Sequence, residues 1–189
     1  MKFSFLIPFF IILLSTNLLI FNLDFYKTEM AQYGIYENET KNLLQYFLGA
    51  ELSTEKYSER EVLHMKDVRN LVWISLSITS ILSILLLIGV KKTKQRKKEF
   101  ILGGILTTIL VLALIVALFT FSISFPAFHK ILFTNNYWLL PADSLLIQMF
   151  PERFFIESIK QIILYSFTLS LLSIIIGILL PGEKNDKRT

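Results

Sequence analysis

The chain alternates long apolar runs with shorter polar connections. Four uninterrupted apolar stretches stand out, at about 3–21, 71–90, 100–121 and 162–180, and none contains a charged residue. Each is close to the roughly 20 residues that a helix rising about 1.5 Å per residue needs to cross a hydrocarbon core about 30 Å thick. In lipid, every backbone N–H and C=O must be paired within its own segment, so such stretches are helices. The pattern predicts an all-α integral membrane protein with four transmembrane helices, built as a single membrane domain over residues 1–189. The first stretch is longer than the apolar core of a secretory signal, and no Ala-x-Ala-like site follows it, so it is read as a retained span.

Charge gives the orientation. The connection at 91–98 carries six Lys or Arg in eight positions, which places it in the cytoplasm. Lys2 and the tail cations Lys184, Lys187 and Arg188 agree, so both termini are expected to be cytoplasmic. Segments 22–70 and 122–160 then lie outside and together form a small extracytoplasmic cap. The first of them holds nine acidic and six basic residues, a net −3. The net charge of +4 on the whole chain is therefore a topology signal rather than a sign of nucleic-acid binding. Composition agrees: 53% of residues are hydrophobic, 18% are charged and the mean hydropathy is +0.58. A soluble domain is nearer a quarter charged, which excludes an ordinary soluble enzyme.

The two outer segments differ in pattern. In 37–50, Leu43, Leu44, Phe47 and Leu48 share one helical face that ends near Gly49. Ser58-Glu59-Arg60-Glu61 reads as a capping box opening a helix that runs straight into the second span. Segment 122–160 is crowded with Phe, Trp, Leu and Pro but holds no complete span. Pro126, Pro141 and Pro151 are expected to break it into short pieces at the interface. His129, Asn135, Asn136, Asp143, Glu152 and Arg153 stand within this greasy segment. Polar groups are costly there unless paired, so they mark more than an aromatic anchor.

The reactive inventory is short. There is no cysteine and there are two histidines, His64 and His129. Thiolate chemistry and Cys-based metal sites are excluded, and no Gly-x-Ser-x-Gly elbow is present. His64 lies on the helix entering the second span, and Asp67 shares its face three residues on, where it can orient the imidazole. His129 follows the third span, beyond Pro126. Packing of the spans as a bundle would let the two rings converge over a lipid-facing cavity. Other readings stay open: two interfacial histidines with hydrogen-bonding roles, or zinc held by both histidines and a carboxylate. Glu61-Val62-Leu63-His64 is a Glu-x-x-His pair of the di-iron type, but a second such pair is missing. Haem ligation is disfavoured because His129 is expected in broken structure.

The runs Glu61-Val62-Leu63-His64-Met65-Lys66-Asp67-Val68 and Phe128-His129-Lys130-Ile131-Leu132-Phe133, followed by Asn135, Trp138, Asp143 and Met149-Phe150-Pro151, resemble the lipoprotein intramolecular transacylase family of Gram-positive bacteria. The resemblance covers nearly the whole chain, and the two histidine motifs are its specific part. It implies a membrane acyltransferase that moves the sn-2 acyl chain of a diacylglyceryl lipoprotein to the α-amino group of the lipoprotein's own N-terminal cysteine, giving a lyso-form product. It implies catalytic roles for His64 and His129, and substrate-orienting roles for Asp67, Asn135, Trp138 and Asp143. Asn136 stands where the family often has Asp, so it receives no carboxylate role. No metal or other cofactor is expected, because one molecule carries both acyl donor and acceptor. The expected partners are diacylglyceryl lipoproteins and membrane lipid, with no nucleic acid and no obligatory protein partner. The expected location is the bacterial cell membrane, with the active site on the extracytoplasmic face. The competing reading is a non-enzymatic accessory or sensor protein that binds a partner through its outer segments. Transport is disfavoured because the spans hold only Ser, Thr, Asn and Gly as polar positions.

Overall fold

The computed structural model describes residues 2–30 and 33–181. Lys184, Lys187 and Arg188 lie outside the described residues. Among those described, every regular element is a helix: α1 (Leu6–Ile20), α2 (Leu23–Glu29), α3 (Tyr33–Phe47), α4 (Glu59–Lys92), α5 (Arg96–Phe119), α6 (Phe121–Leu132), α7 (Leu145–Met149) and α8 (Glu152–Leu179). Three of these, α4, α5 and α8, are long and apolar enough to cross a membrane unaided. With 15 residues, or about 22 Å, α1 falls short alone, and it meets α2 at a bend of 68°. It still packs against α4, α5 and α8 as the fourth member of the bundle. Three helices are thus long enough to span, and a fourth span is reached only if α1 and its bent partner α2 are taken together.

Two features stitch the bundle at its basic end. The buried Glu99 side chain, in the first turn of α5, accepts hydrogen bonds from the backbone N–H groups of Phe3 and Ser4, both at 2.7 Å. It satisfies donors that the start of α1 would otherwise leave unpaired. The most extensive contact is between α5 and α8. Small residues line it: Gly104 and Thr108 on α5, and Ser170, Ser173 and Gly177 on α8. Large apolar residues such as Ile109, Leu112, Val116, Leu171 and Ile175 point outward. Greasy outside and small inside is the inverse of a soluble bundle and suits lipid as the solvent. A Cβ on Gly104 would lie 2.7 Å from the Ser170 carbonyl oxygen. Gly104→Val is therefore expected to force the pair apart and cost about 1–3 kcal/mol, read as a lower denaturation temperature in detergent.

The other end carries a cap. Phe25, Tyr26, Leu43, Tyr46, Phe47, Leu146, Met149 and Phe154 form one buried apolar cluster with Met65 and Val72 of α4. Local sequence signals set its elements. The α3 helix closes in a Schellman turn, with Gly49 at φ 110° and the N–H of Ala50 donating to the Gln45 carbonyl. The Ser58–Glu61 capping box is present with both of its reciprocal contacts. At 34 residues, about 51 Å, α4 is far longer than a bilayer core, so residues 59–70 project beyond the apolar stretch 71–90 into the cap.

Pro126 corrects the sequence reading. It sits inside α6, and the chain breaks at Thr120, between α5 and α6. His129 is consequently on a regular helix rather than in broken structure. Pro141 and Pro151 do punctuate: Pro141 opens a turn before α7, and Pro151 is the N-cap of α8.

Candidate active site

The projecting end of α4 faces the end of α6 and the loop after it. Arg60, His64 and Asp67 recur at helical spacing on one side of α4. Arg60 donates to the backbone carbonyl of Asn136. Asp67 accepts from the Asn135 side-chain amide at 2.8 Å. Between them, the His64 ring stands edge-on to Phe133, with centroids 5.4 Å apart and planes at 74°. These three contacts clamp residues 133–136 against α4.

The clamp brings the two histidines together, with ring centroids 6.2 Å apart. Both side chains are buried. His129 is enclosed by rings: Phe125 at 4.3 Å, Trp138 at 4.9 Å, Phe128 at 5.4 Å and Phe133 at 5.7 Å. Its Nδ1 lies 2.8 Å from the Phe125 carbonyl oxygen. A carbonyl oxygen only accepts, so Nδ1 carries the proton, and in the neutral ring Nε2 keeps its lone pair. The Nδ1 of His64 is buried without a hydrogen-bond partner.

Electrostatics keep both rings uncharged. Burial, reinforced by the neighbouring His129 and opposed by Asp67, lowers the His64 pKa from the usual 6.5 to about 4. Burial also lowers that of His129, against the opposing effect of its bond to Phe125. A consequence for stability follows. Between pH 6.5 and about 4 the unfolded chain takes up a proton that the folded His64 refuses, so stability falls as pH drops through that window and is unaffected by His64 above it. Thermal denaturation against pH is expected to show this loss in the wild type and less of it in His64→Ala. With only two histidines in the chain, imidazole NMR signals can be followed directly, and no transition near pH 6.5 is expected for His64.

Most of the singled-out residues meet here, with altered partners. Asp67 bonds Asn135, and no hydrogen bond joins it to His64, so it does not set the tautomer of that ring. Trp138 packs against His129, its plane tilted by 30°. Asp143 is exposed in the turn before α7, and no hydrogen bond or ring contact joins it to the histidines. Glu61 is not a free ligand. Its carboxylate accepts from the N–H and hydroxyl of Ser58 and from the N–H of Leu146, each at 2.8 Å. Among the described residues no three His, Asp or Glu side chains form a group that could hold a metal, so the zinc reading has no third ligand in place. Sequence reasoning passed over Arg60 and Phe125. Their signal was spacing, four residues before each histidine.

Residues 1–155 match the family model described as lipoprotein intramolecular transacylase Lit. The solved structure of the membrane-integral Lit from Bacillus cereus is similar at a TM-score of 0.73 and 27% identity, over 93% of this chain and 90% of that one. A variant of the same protein with one histidine replaced by alanine matches at 0.69 and 27%, over 95% and 90% of the two chains. A curated protein of Aquifex aeolicus is 27% identical over 161 residues, which is 84% of this chain and 73% of its own length. The convergence of two histidines between α4 and α6 thus stands in a chain that belongs to the lipoprotein intramolecular transacylase family, a family of multi-pass membrane enzymes.

Proposed function

We propose that the chain moves the sn-2 acyl group of a diacylglyceryl lipoprotein to the α-amino group of that lipoprotein's N-terminal cysteine. The observation that carries this is the pair of neutral histidines, one with a fixed tautomer, in a chain without cysteine or nucleophile elbow. A substrate that brings its own nucleophile needs only proton transfer and orientation. The amine, Cα, Cβ, sulfur, two glyceryl carbons, ester oxygen and carbonyl carbon close an eight-membered ring, and holding that ring closed is the enzyme's first task.

The proton inventory assigns the roles. The substrate amine, with a pKa near 8, must lose its ammonium proton before it attacks. As the new N–C bond forms, the amine gives a further proton to Nε2 of His129, and the same proton passes to the glyceryl oxygen as the ester C–O bond breaks. His64 is the poorer base because its pKa is about 4. As a neutral imidazole it is suited to donate a hydrogen bond to the tetrahedral oxyanion. Asp67 with Asn135 orients the head group, and Trp138 fixes the His129 ring. Asp143 is left with at most a peripheral contact to the peptide. The basic loop 91–98, at the opposite end of α4, favours a site on the extracytoplasmic face of the cell membrane. No cofactor and no protein partner beyond the lipoprotein substrate are required.

The transfer is an isomerisation, so total mass does not report it. Purified protein is expected to convert a synthetic diacylglyceryl lipopeptide into a product whose N-linked acyl group survives mild alkali and appears in the N-terminal fragment ions. EDTA should leave the rate unchanged. Absence of N-acyl product from the purified protein would support the accessory reading, and loss of activity with EDTA would revive the zinc reading.

A further inference from the structure

A groove of about 160 Å³ opens beside the histidines, between the outer turns of α4 and the end of α6. Its polar rim is the hydrogen-bonded Asp67–Asn135 pair with Asn70 and Thr134, and its apolar walls are Leu71, Ile74, Leu132 and Phe133. Three features suggest an occupant. The polarity runs in one direction, from a hydrogen-bonded carboxylate and amide at the rim to leucine and isoleucine below. Leu71 and Ile74 begin the apolar stretch 71–90, so the lower walls stand at the edge of the hydrocarbon, and Ile74 and Leu132 are respectively 54% and 40% exposed. Phe133 forms a wall of the groove and also packs on His64 and, at 5.7 Å, on His129. The groove therefore adjoins the histidine pair across the Phe133 ring.

We infer that this groove seats the first methylenes of the acyl chain that is transferred, entering sideways from the bilayer, while the second chain stays in lipid. The assignment rests on the acyl-transfer reading for the identity of the chain. The reacting carbonyl has to sit at the histidines, and a chain attached to it must leave the site along an apolar path. The groove adjoins the histidines and offers such a path. The sn-1 chain carries no reacting atom and needs no seat. Bulk at Ile74 or Leu132 would act on the transferred chain alone.

The test uses full-length protein in lipid nanodiscs and two diacylglyceryl lipopeptides, one with a diazirine near the carbonyl end of the sn-2 chain and one with it in the sn-1 chain. After irradiation, adducts are mapped by mass spectrometry. The sn-2 probe is expected to label residues 71–74 and 132–133, and Ile74→Trp and Leu132→Trp should each reduce that labelling about tenfold. The sn-1 probe should spread over lipid-facing positions. Either Trp variant should also raise KM for a substrate with a palmitoyl sn-2 chain. Labelling of the groove by the sn-1 probe, or equal labelling in wild type and both variants, overturns the seat. Groove labelling without any N-acyl product would instead retain the seat and refute the acyl-transfer reading. Turnover with no groove labelling would do the reverse.

Discussion

Replacing His129 by alanine is expected to slow N-acyl product formation by about a hundredfold or more, the usual contribution of a positioned general acid and base. The Phe125 carbonyl 2.8 Å from Nδ1 commits the proton to that nitrogen and presents Nε2 as the acceptor. Phe125, Trp138 and Phe133 hold the ring in that orientation. His64→Ala is expected to cost a comparable factor for a different reason, the loss of a donor to the oxyanion. Because both serve the same tetrahedral transition state, the double variant should be slowed by less than the product of the two single losses. Lipoprotein N-termini from cells lacking the native gene and complemented with each variant supply the measurement. A variant that still makes lyso-form product at the wild-type rate removes its histidine from the chemistry. Phe125→Leu tests the positioning separately, since it keeps the carbonyl and removes one wall, and a smaller loss is expected.

Glu61→Ala should be the most damaging single change to the fold. The carboxylate is buried, with 2% of the residue exposed. It pairs with Ser58 at the start of α4 and with the N–H of Leu146 in α7. Removing it strands buried donors at two helix starts, at a cost of about 3 kcal/mol or more. Leu146 and Met149, which α7 inserts into the cap core, would lose their anchor. The expected result is a denaturation temperature lowered by several degrees, with activity recovered on cooling. Glu61→Gln keeps acceptor capacity and should lie between. A Glu61 that served as a metal ligand would behave differently: activity would vanish in Glu61→Gln without a matching loss of stability.

The spans were legible because lipid imposes one requirement, paired backbone and an apolar exterior, that composition alone can report. The start of α4 and the end of α3 were equally plain, since Ser58–Glu61 and Gly49 carry their mechanism in a few adjacent residues. The meeting of His64 and His129 followed from placing both at the same end of a bundle. What stayed hidden is long-range. Asp67 looks like a partner for His64 by spacing along the helix, and only the approach of Asn135, 68 positions on, draws it away. Glu61 reads as a local cap, and its second duty toward Leu146 depends on how α7 folds back. Pro126 reads as a breaker, but the break falls at Thr120, and Pro126 is accommodated inside α6. The tautomer of His129 stayed hidden for the same reason, because it is set by a carbonyl whose availability no motif announces.

The central claim is an acyl transfer confined to one substrate molecule and run by the histidine pair. A crossover measurement tests it directly. Two diacylglyceryl lipopeptides, one with a heavy peptide and a light sn-2 chain and the other with the labels reversed, are mixed in equal amounts with purified protein, and the N-acylated products are weighed. The account predicts only the two parental pairings, and product formation slowed about a hundredfold or more with His64→Ala and His129→Ala combined. Heavy–heavy and light–light products at the statistical proportion, or N-acylation undiminished in the double variant, would contradict it.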